Sequence, residues 1–197
     1  MIIILINFLL QNYFNCYIIK YCDRFFTERR ISLLNKKFKY PDTQAYNFVI
    51  KRLEEKGVTI PLLAQMAYDM QKDFEKHLTL DVCNEIIEDV LHKRELLNNA
   101  MVGLEMDRLV EQGAVKEPLA SIIKNDTGVF GVDETLALQI SNIYGTIGAT
   151  NYGWLDREKN GVINKIDKDP EHVNTFADDL VAAIIAAACG KIAHQYA

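Results

Sequence analysis

Cysteine is scarce in this 197-residue chain, and the four that occur (Cys16, Cys22, Cys83, Cys189) form no CxxC pair. No histidine stands at ligand spacing from any of them, so a disulfide scaffold and a zinc site are both excluded, and a reducing compartment is indicated. With four prolines and ten glycines, no collagen-like or proline-rich segment exists, and no internal repeat is present. β-branched alternation is almost missing, which leaves strands without support. Basic residues are lacking where a nucleic-acid binder would need them. Residues 1–41 hold seven Lys/Arg against two Asp/Glu, and the rest holds 15 against 25. An acidic body argues against a phosphate-backbone partner, so no nucleic acid is expected.

What is present is apolar content, 49% of the chain, enough for one domain with a sizeable core. The first 19 residues are apolar but broken by Asn7, Gln11, Asn12 and Asn15. No basic residue precedes the run and no small-residue cleavage site follows, so it is no secretory signal. Three readings stay open for residues 1–41: a membrane span, an interfacial anchor with a basic flank, or a non-native start. The basic residues that follow the run would keep the body in the cytoplasm, at the inner face of the membrane if the segment anchors. From Asp42 the chain carries its own caps and periodicity, so 1–41 is expected to be dispensable for folding.

The body reads as all-α, a single domain (42–197) of five to seven helices. Asp42 can cap a helix that stops at Gly57. Thr59-Ile60-Pro61 opens a second, running to about His77. Thr79 opens a third whose apolar spacing holds to Gly113, with a break expected near Leu97-Asn98-Asn99. Glu117-Pro118 starts a short helix ending near Lys124, and Asp133 reads as an N-cap for a helix ending at Gly145. Gly145 to Asp156 reads as a glycine-rich loop and the next fifteen residues as a polar connector. The last helix is alanine-rich, with apolar residues at Val173, Phe176, Leu180, Val181, Ile184, Ile185 and Ile192, and is expected to be buried.

Three clusters can carry chemistry. Asp178-Asp179, with Thr175 a turn earlier, stands directly before the most apolar run of the C-terminal half. Such a pair can simply face water and favour the helix dipole. Entering a packed core, it requires a cation or a cleft to offset the charge. Asp133-Glu134 starts another helix, although capping needs only the first of them. In the third cluster, closely spaced glycines let N–H groups approach an anion, with Thr146, Thr150 and Asn151 as added donors; a tight interhelical corner needs the same glycines. Sharper motifs fail. Gly148 to Gly153 has P-loop spacing, but Trp154-Leu155 replace the Lys and Ser/Thr. Glu85-Ile-Ile-Glu88 is half of a pyrophosphohydrolase pattern with no second half. Glu105 and Asp107 are expected on the solvent side of the long helix, while Glu95 or Asp107 remains a candidate additional ligand. His172 is the histidine nearest the acids and a candidate general acid or base.

These residues resemble a known family. Gly145-Thr146-Ile147-Gly148, Asp169-Pro170 and Asp178-Asp179 before a small-residue helix look like the phosphatidylglycerophosphatase A family. GVDETLAL, YGTIGATNYGWLD and HVNTFADDLVAAIIAAA look most like its shorter soluble Gram-positive branch, the low temperature requirement C protein type. The resemblance covers residues 42–197. Ala149 stands where the membrane-bound members carry Ser, Asp179 where they carry Glu, and Ala182 where they carry Gly. The resemblance implies a Mg²⁺-dependent phosphatase acting on phosphatidylglycerophosphate or a related phosphomonoester of phospholipid metabolism. In it Asp178 and Asp179 would bind metal with Asp133 and Glu134. Thr146 and Asn151 would act on the phosphate, and Gly145, Gly148, Thr150 and Thr175 would line the substrate site. Attack by an activated water is the simpler route, because no Cys-x5-Arg nucleophile motif is present. A peripheral or N-terminal membrane contact and a homo-oligomer are compatible with this pattern. The rival class is a non-catalytic helical module whose acidic groove binds a metal or a partner helix.

Overall fold

The chain ends in a helix with almost no polar face, and the other helices are arranged around it. The structure, a computed structural model, describes residues 38–196. The readings of residues 1–37 as anchor or non-native start, with Cys16 and Cys22, lie outside the described residues. Among those described, nine α-helices and one 3-10 turn occur, and no strand. They are α1 (Asp42–Glu55), α2 (Ile60–Gln71), α3 (Leu80–Leu91), α4 (Arg94–Glu111), α5 (Leu119–Lys124), α6 (Val132–Ser141), α7 (Thr146–Glu158), α8 (Gly161–Asp167) and α9 (Ala177–Tyr196). The 3-10 turn Asn142–Tyr144 joins α6 to α7. Every residue of α9 from Ala177 to Gly190 is buried, so the helix reads as apolar all round rather than on one stripe. It packs on α7, α6, α2, α3 and α8, while α1 lies against α4 on the outside. Each fully buried Leu or Ile on it, such as Leu180 or Ile184, contributes about 1.5–3 kcal/mol. No described helix is long and apolar enough to cross a membrane.

Three expectations about elements are corrected. The long helix from Thr79 does break, but at His92-Lys93 rather than at Leu97-Asn99. Both halves bury leucines, Leu91 before the break and Leu96 and Leu97 after it, so a straight rod would pull one set out of the core. Arg94 opens α4 and its guanidinium donates to both oxygens of Asp42 (2.7 and 2.9 Å), tying the new direction to α1. The stretch Gly145–Asp156 is not a loop. Gly145, at φ +79°, turns the chain out of the 3-10 segment, and α7 then runs to Glu158. Its glycines serve close packing: a Cβ on Gly148 would run into the Ser141 carbonyl, and one on Gly190 would sit 3.2 Å from the Gly148 nitrogen. The polar connector also contains a helix, α8, which buries Val162, Ile163 and Ile166. These changes raise the helix number above the expected five to seven without altering the class.

The entry to α9 explains a buried acid. Asp107 on α4 is fully buried, not solvent-facing as its sequence context implies. Its carboxylate accepts from the Phe176 N–H (3.2 Å) and the Ala177 N–H (3.0 Å), so a side chain from another helix caps α9. Gly103, one turn earlier on α4, makes this approach close: an added Cβ would press on Leu180 and Phe176.

Candidate metal centre

The core helix places two consecutive aspartates in its first turn, and both are inside: Asp178 is 4% and Asp179 5% exposed. Consecutive helical residues point about 100° apart, so the pair divides between two neighbourhoods. Asp179 faces α6. There Gly131, at φ +64°, is the residue before the helix, so Asp133 is not the N-cap but a first-turn residue. That shift by two positions buries Asp133, whose Oδ1 accepts from the Glu134 N–H at 3.1 Å. Carboxylate oxygens of Asp133, Glu134 and Asp179 all lie within 4.8 Å of one another. The Glu134 Oε2 is buried and has no hydrogen-bond partner. Three converging carboxylates could hold a hard divalent cation such as Mg²⁺, which takes oxygen ligands.

Electrostatics agrees. Burial, then the neighbouring Asp178 and Asp156 charges, pushes the Asp179 carboxyl up. Burial also raises Asp133, and Glu134 is held down by its hydrogen bond with Asp133. Without a cation the group therefore retains protons that a bound ion would displace.

Asp178 turns the other way and takes a cation from the chain itself. The Lys159 ammonium lies 2.5 Å from its Oδ2 and 3.4 Å from both Asp156 and Asp167. Lys159 is the C-cap of α7 and has left-handed backbone (φ +44°), which a non-glycine residue adopts at a cost of about 1–2 kcal/mol. Beside this pair, Lys124, Asp126, Asp167, Asp169, His172 and Asp178 help to line a cleft of about 210 Å³. His172 holds Asp169 through Nδ1 at 2.7 Å, which leaves Nε2 free.

The other residues singled out from the sequence fall elsewhere. Gly145 and Gly148 sit beside His194 and Gly190, at the far end of α9. Gly190 is eleven residues from Asp179, about 16 Å along a helix axis. Thr146 and Thr150 are exposed, and the Thr150 hydroxyl donates to the Ile147 carbonyl. Asn151 is half-buried on α7. Thr175 is buried, its hydroxyl donating to the Ile123 carbonyl at 2.6 Å, which pins α5 to the start of α9. Glu95 is exposed, and its charge is felt by Tyr144 near the far end. The acid end of α9 is met instead by the last turns of α7, which carry Tyr152, Asp156 and Lys159. None of the three was singled out, because three glycines in nine residues conceal the helix that aligns them at i, i+4 and i+7.

Comparison with known proteins closes the identification. Residues 49–194 match the family model described as phosphatidylglycerophosphatase A. Protein YpjQ of Bacillus subtilis (strain 168) is 40% identical over 158 residues, 80% of this chain and 89% of that one. A solved structure of a protein of unknown function from Bacillus stearothermophilus aligns with TM-score 0.75 at 42% identity, covering 82% of this chain and 98% of that one. The low temperature requirement C protein from Listeria monocytogenes aligns with TM-score 0.74 at 42% identity, covering 77% and 96%. The chain belongs to the phosphatidylglycerophosphatase A family.

Proposed function

We propose that the chain is a Mg²⁺-dependent phosphatase releasing inorganic phosphate from phosphatidylglycerophosphate or a related phosphomonoester. The observation that carries this reading is the convergence of Asp133, Glu134 and Asp179, with a buried Glu134 oxygen that no N–H or hydroxyl donor of the described residues satisfies. Family membership supplies the substrate class. A Mg²⁺ ion held by these three carboxylates would neutralise phosphate charge and acidify a water. The remaining roles belong to the chain. Asp178 fixes the Lys159 ammonium beside the centre, so that a dianionic substrate meets a positive charge there as well. His172, oriented by Asp169, can deliver a proton from Nε2 to the leaving oxygen across the adjoining cleft. The buried walls of α6, α7 and α9 keep bulk water from the carboxylates, which strengthens each of these interactions. The glycines of α7 take no part, since helix capping and packing account for them. A lipid substrate calls for peripheral contact at the cytoplasmic face of a membrane, which this reading assigns to the apolar and basic residues 1–41.

The test is phosphate release from a panel of phosphomonoesters that includes phosphatidylglycerophosphate, with Mg²⁺ and with EDTA. Release that needs Mg²⁺ is expected for at least one of them. Mg²⁺ binding with no release from any would leave the non-catalytic acidic module as the better description.

A further inference from the structure

Residues 135–155 contain no Asp, Glu, Lys, Arg or His, in a chain that is 25% charged. The next-longest uncharged stretch of the body, 180–190, is uncharged because α9 buries all of it. Burial does not explain the first stretch, which forms most of α6, the 3-10 turn and most of α7. Both helices pack on α9 and on each other, so their exposed residues share the side turned away from it. Val132, Leu138, Ile147 and Trp154 lie there, each at least 40% exposed, with Thr135, Gln139 and Thr150 between them. A solvated helix face normally carries charge, whereas an uncharged one with an aromatic residue is what interfaces select. Gly153, next to Trp154 on the same face, is a glycine that the chain itself does not need. It sits inside α7 with ordinary helical backbone, and a Cβ there would meet nothing within 4 Å. Glycine inside a helix costs stability relative to alanine. At Gly148 close packing on Ser141 offsets that cost; at Gly153 nothing in the chain does. A backbone approaching from outside would give Gly153 the role that Gly148 has inside.

We propose that this α6–α7 face docks on the same face of a second copy of the chain, about a two-fold axis. Charge selects that occupant. Residues 42–197 hold 15 Lys/Arg against 25 Asp/Glu, so two copies repel where their charged faces meet. The α6–α7 face meets itself with no like charges opposed. An anionic membrane surface would select basic residues, and 135–155 has none. Lipid would also strand the hydroxyl and amide groups of the face, which a protein partner can hydrogen-bond. The acid-centre residues Asp133 and Asp179 are buried on the inner side of these helices, so the pairing does not depend on the phosphatase reading.

The test uses the full chain and its single tryptophan, Trp154. Sedimentation velocity over a range of micromolar concentrations should show a monomer–dimer equilibrium, and Trp154 emission should shift to the blue as the dimer forms. Association through residues 1–41 would not move that emission. Gln139→Glu and Gln139→Lys each put like charges on the face with little change of shape. Either variant alone should dimerise at least about tenfold more weakly, and an equal mixture of the two should recover the affinity. Gly153→Ala should raise Tm in dilute solution, where the parent is monomeric, yet weaken dimerisation by about tenfold. A parent that stays monomeric overturns the proposal, and so does a dimer whose strength ignores all three substitutions. A blue shift that needs vesicles of phosphatidylglycerol and phosphatidylcholine, with no dimer in their absence, also overturns it and assigns the face to lipid.

Discussion

The two ends of α9 bury their surfaces in opposite ways. At the C-terminal end, Gly190 of α9 meets Gly148 of α7, backbone against backbone, with no charged group in the contact. At the N-terminal end the same two helices bring Asp178, Asp179, Tyr152 and Lys159 together under α6. The glycine end is fitted by shape, and the buried Tyr144 hydroxyl beside it lacks a partner, but no cluster of converging carboxylates lies there among the described residues. The acid end is incomplete, with raised carboxyl pKa values and a buried Glu134 oxygen lacking a partner. Burial of an acid is not itself the difference. Asp107 is more deeply buried than Asp179, yet it caps two N–H groups of α9 and so belongs to the fold. A ligand is suggested where an unsatisfied atom coincides with converging carboxylates, as at Glu134, and not by an unsatisfied atom alone, as at Tyr144.

The sharpest way to break this comparison is Asp179→Asn. It should abolish the Mg²⁺-induced rise in Tm and lower phosphate release by at least about 100-fold. The metal-free protein should melt higher, by about 2–4 °C for each kcal/mol of repulsion removed. A variant that responds to Mg²⁺ as the parent does would return Asp179 to the role of an ordinary first-turn residue. At the glycine end the signs reverse. Gly148→Ala drives a Cβ into the Ser141 carbonyl and should destabilise by about 3 kcal/mol, measured by urea unfolding, while the remaining folded protein still responds to Mg²⁺. Asp107→Ala lies between the two. Loss of a buried cap should cost about 2 kcal/mol, with the Mg²⁺ response retained. If its Mg²⁺ response disappeared, Asp107 would have to be counted with the ligands.

What the sequence made legible follows the same division. The all-α class, the start of α1 near Asp42 and the buried final helix were readable because apolar spacing reports burial directly. The acids were readable as candidates, since Asp-Asp before an unbroken apolar run is hard to place in water. Which acids converge was not readable. A one-residue step decides that Asp179 joins Asp133 and Glu134 while Asp178 meets Lys159, and that depends on the rotation of α9 against α6 and α7. Gly145 is the turn residue it looks like, but Gly148 and Gly153 lie within α7, where Gly148 is a packing notch. Asp107 was placed on the solvent side because its partners are backbone N–H groups almost 70 residues away, a contact with no local pattern. Tyr152 and Lys159 become visible only once α7 is known to be helical.

The smallest expected effect concerns pH, and it separates the acid end from Asp107. Burial raises the Asp179 and Asp133 carboxyls above their ordinary values in the folded chain. A raised carboxyl means that the folded state holds its proton more tightly than the unfolded state. The associated stability is fully present below about pH 4 and is lost as pH rises through the folded values, by about 1.4 kcal/mol per unit of difference. Glu134, shifted downward, contributes in the opposite sense, but its window closes below the ordinary carboxylate range and does not touch neutral pH. Asp107, which burial pushes up to about 8, shares the downward slope. Mg²⁺ distinguishes them, because it competes with protons only at its own ligands. Between about pH 5 and pH 9, Tm in EDTA should therefore fall, and the increment that Mg²⁺ adds should grow. In Asp107→Asn the EDTA slope should become shallower while the growth of the Mg²⁺ increment is kept. In Asp179→Asn the growth itself should vanish. A Mg²⁺ increment independent of pH in the parent would mean that its ligands are already ionised, and the raised carboxyls at the acid end would then have nothing to do with metal binding.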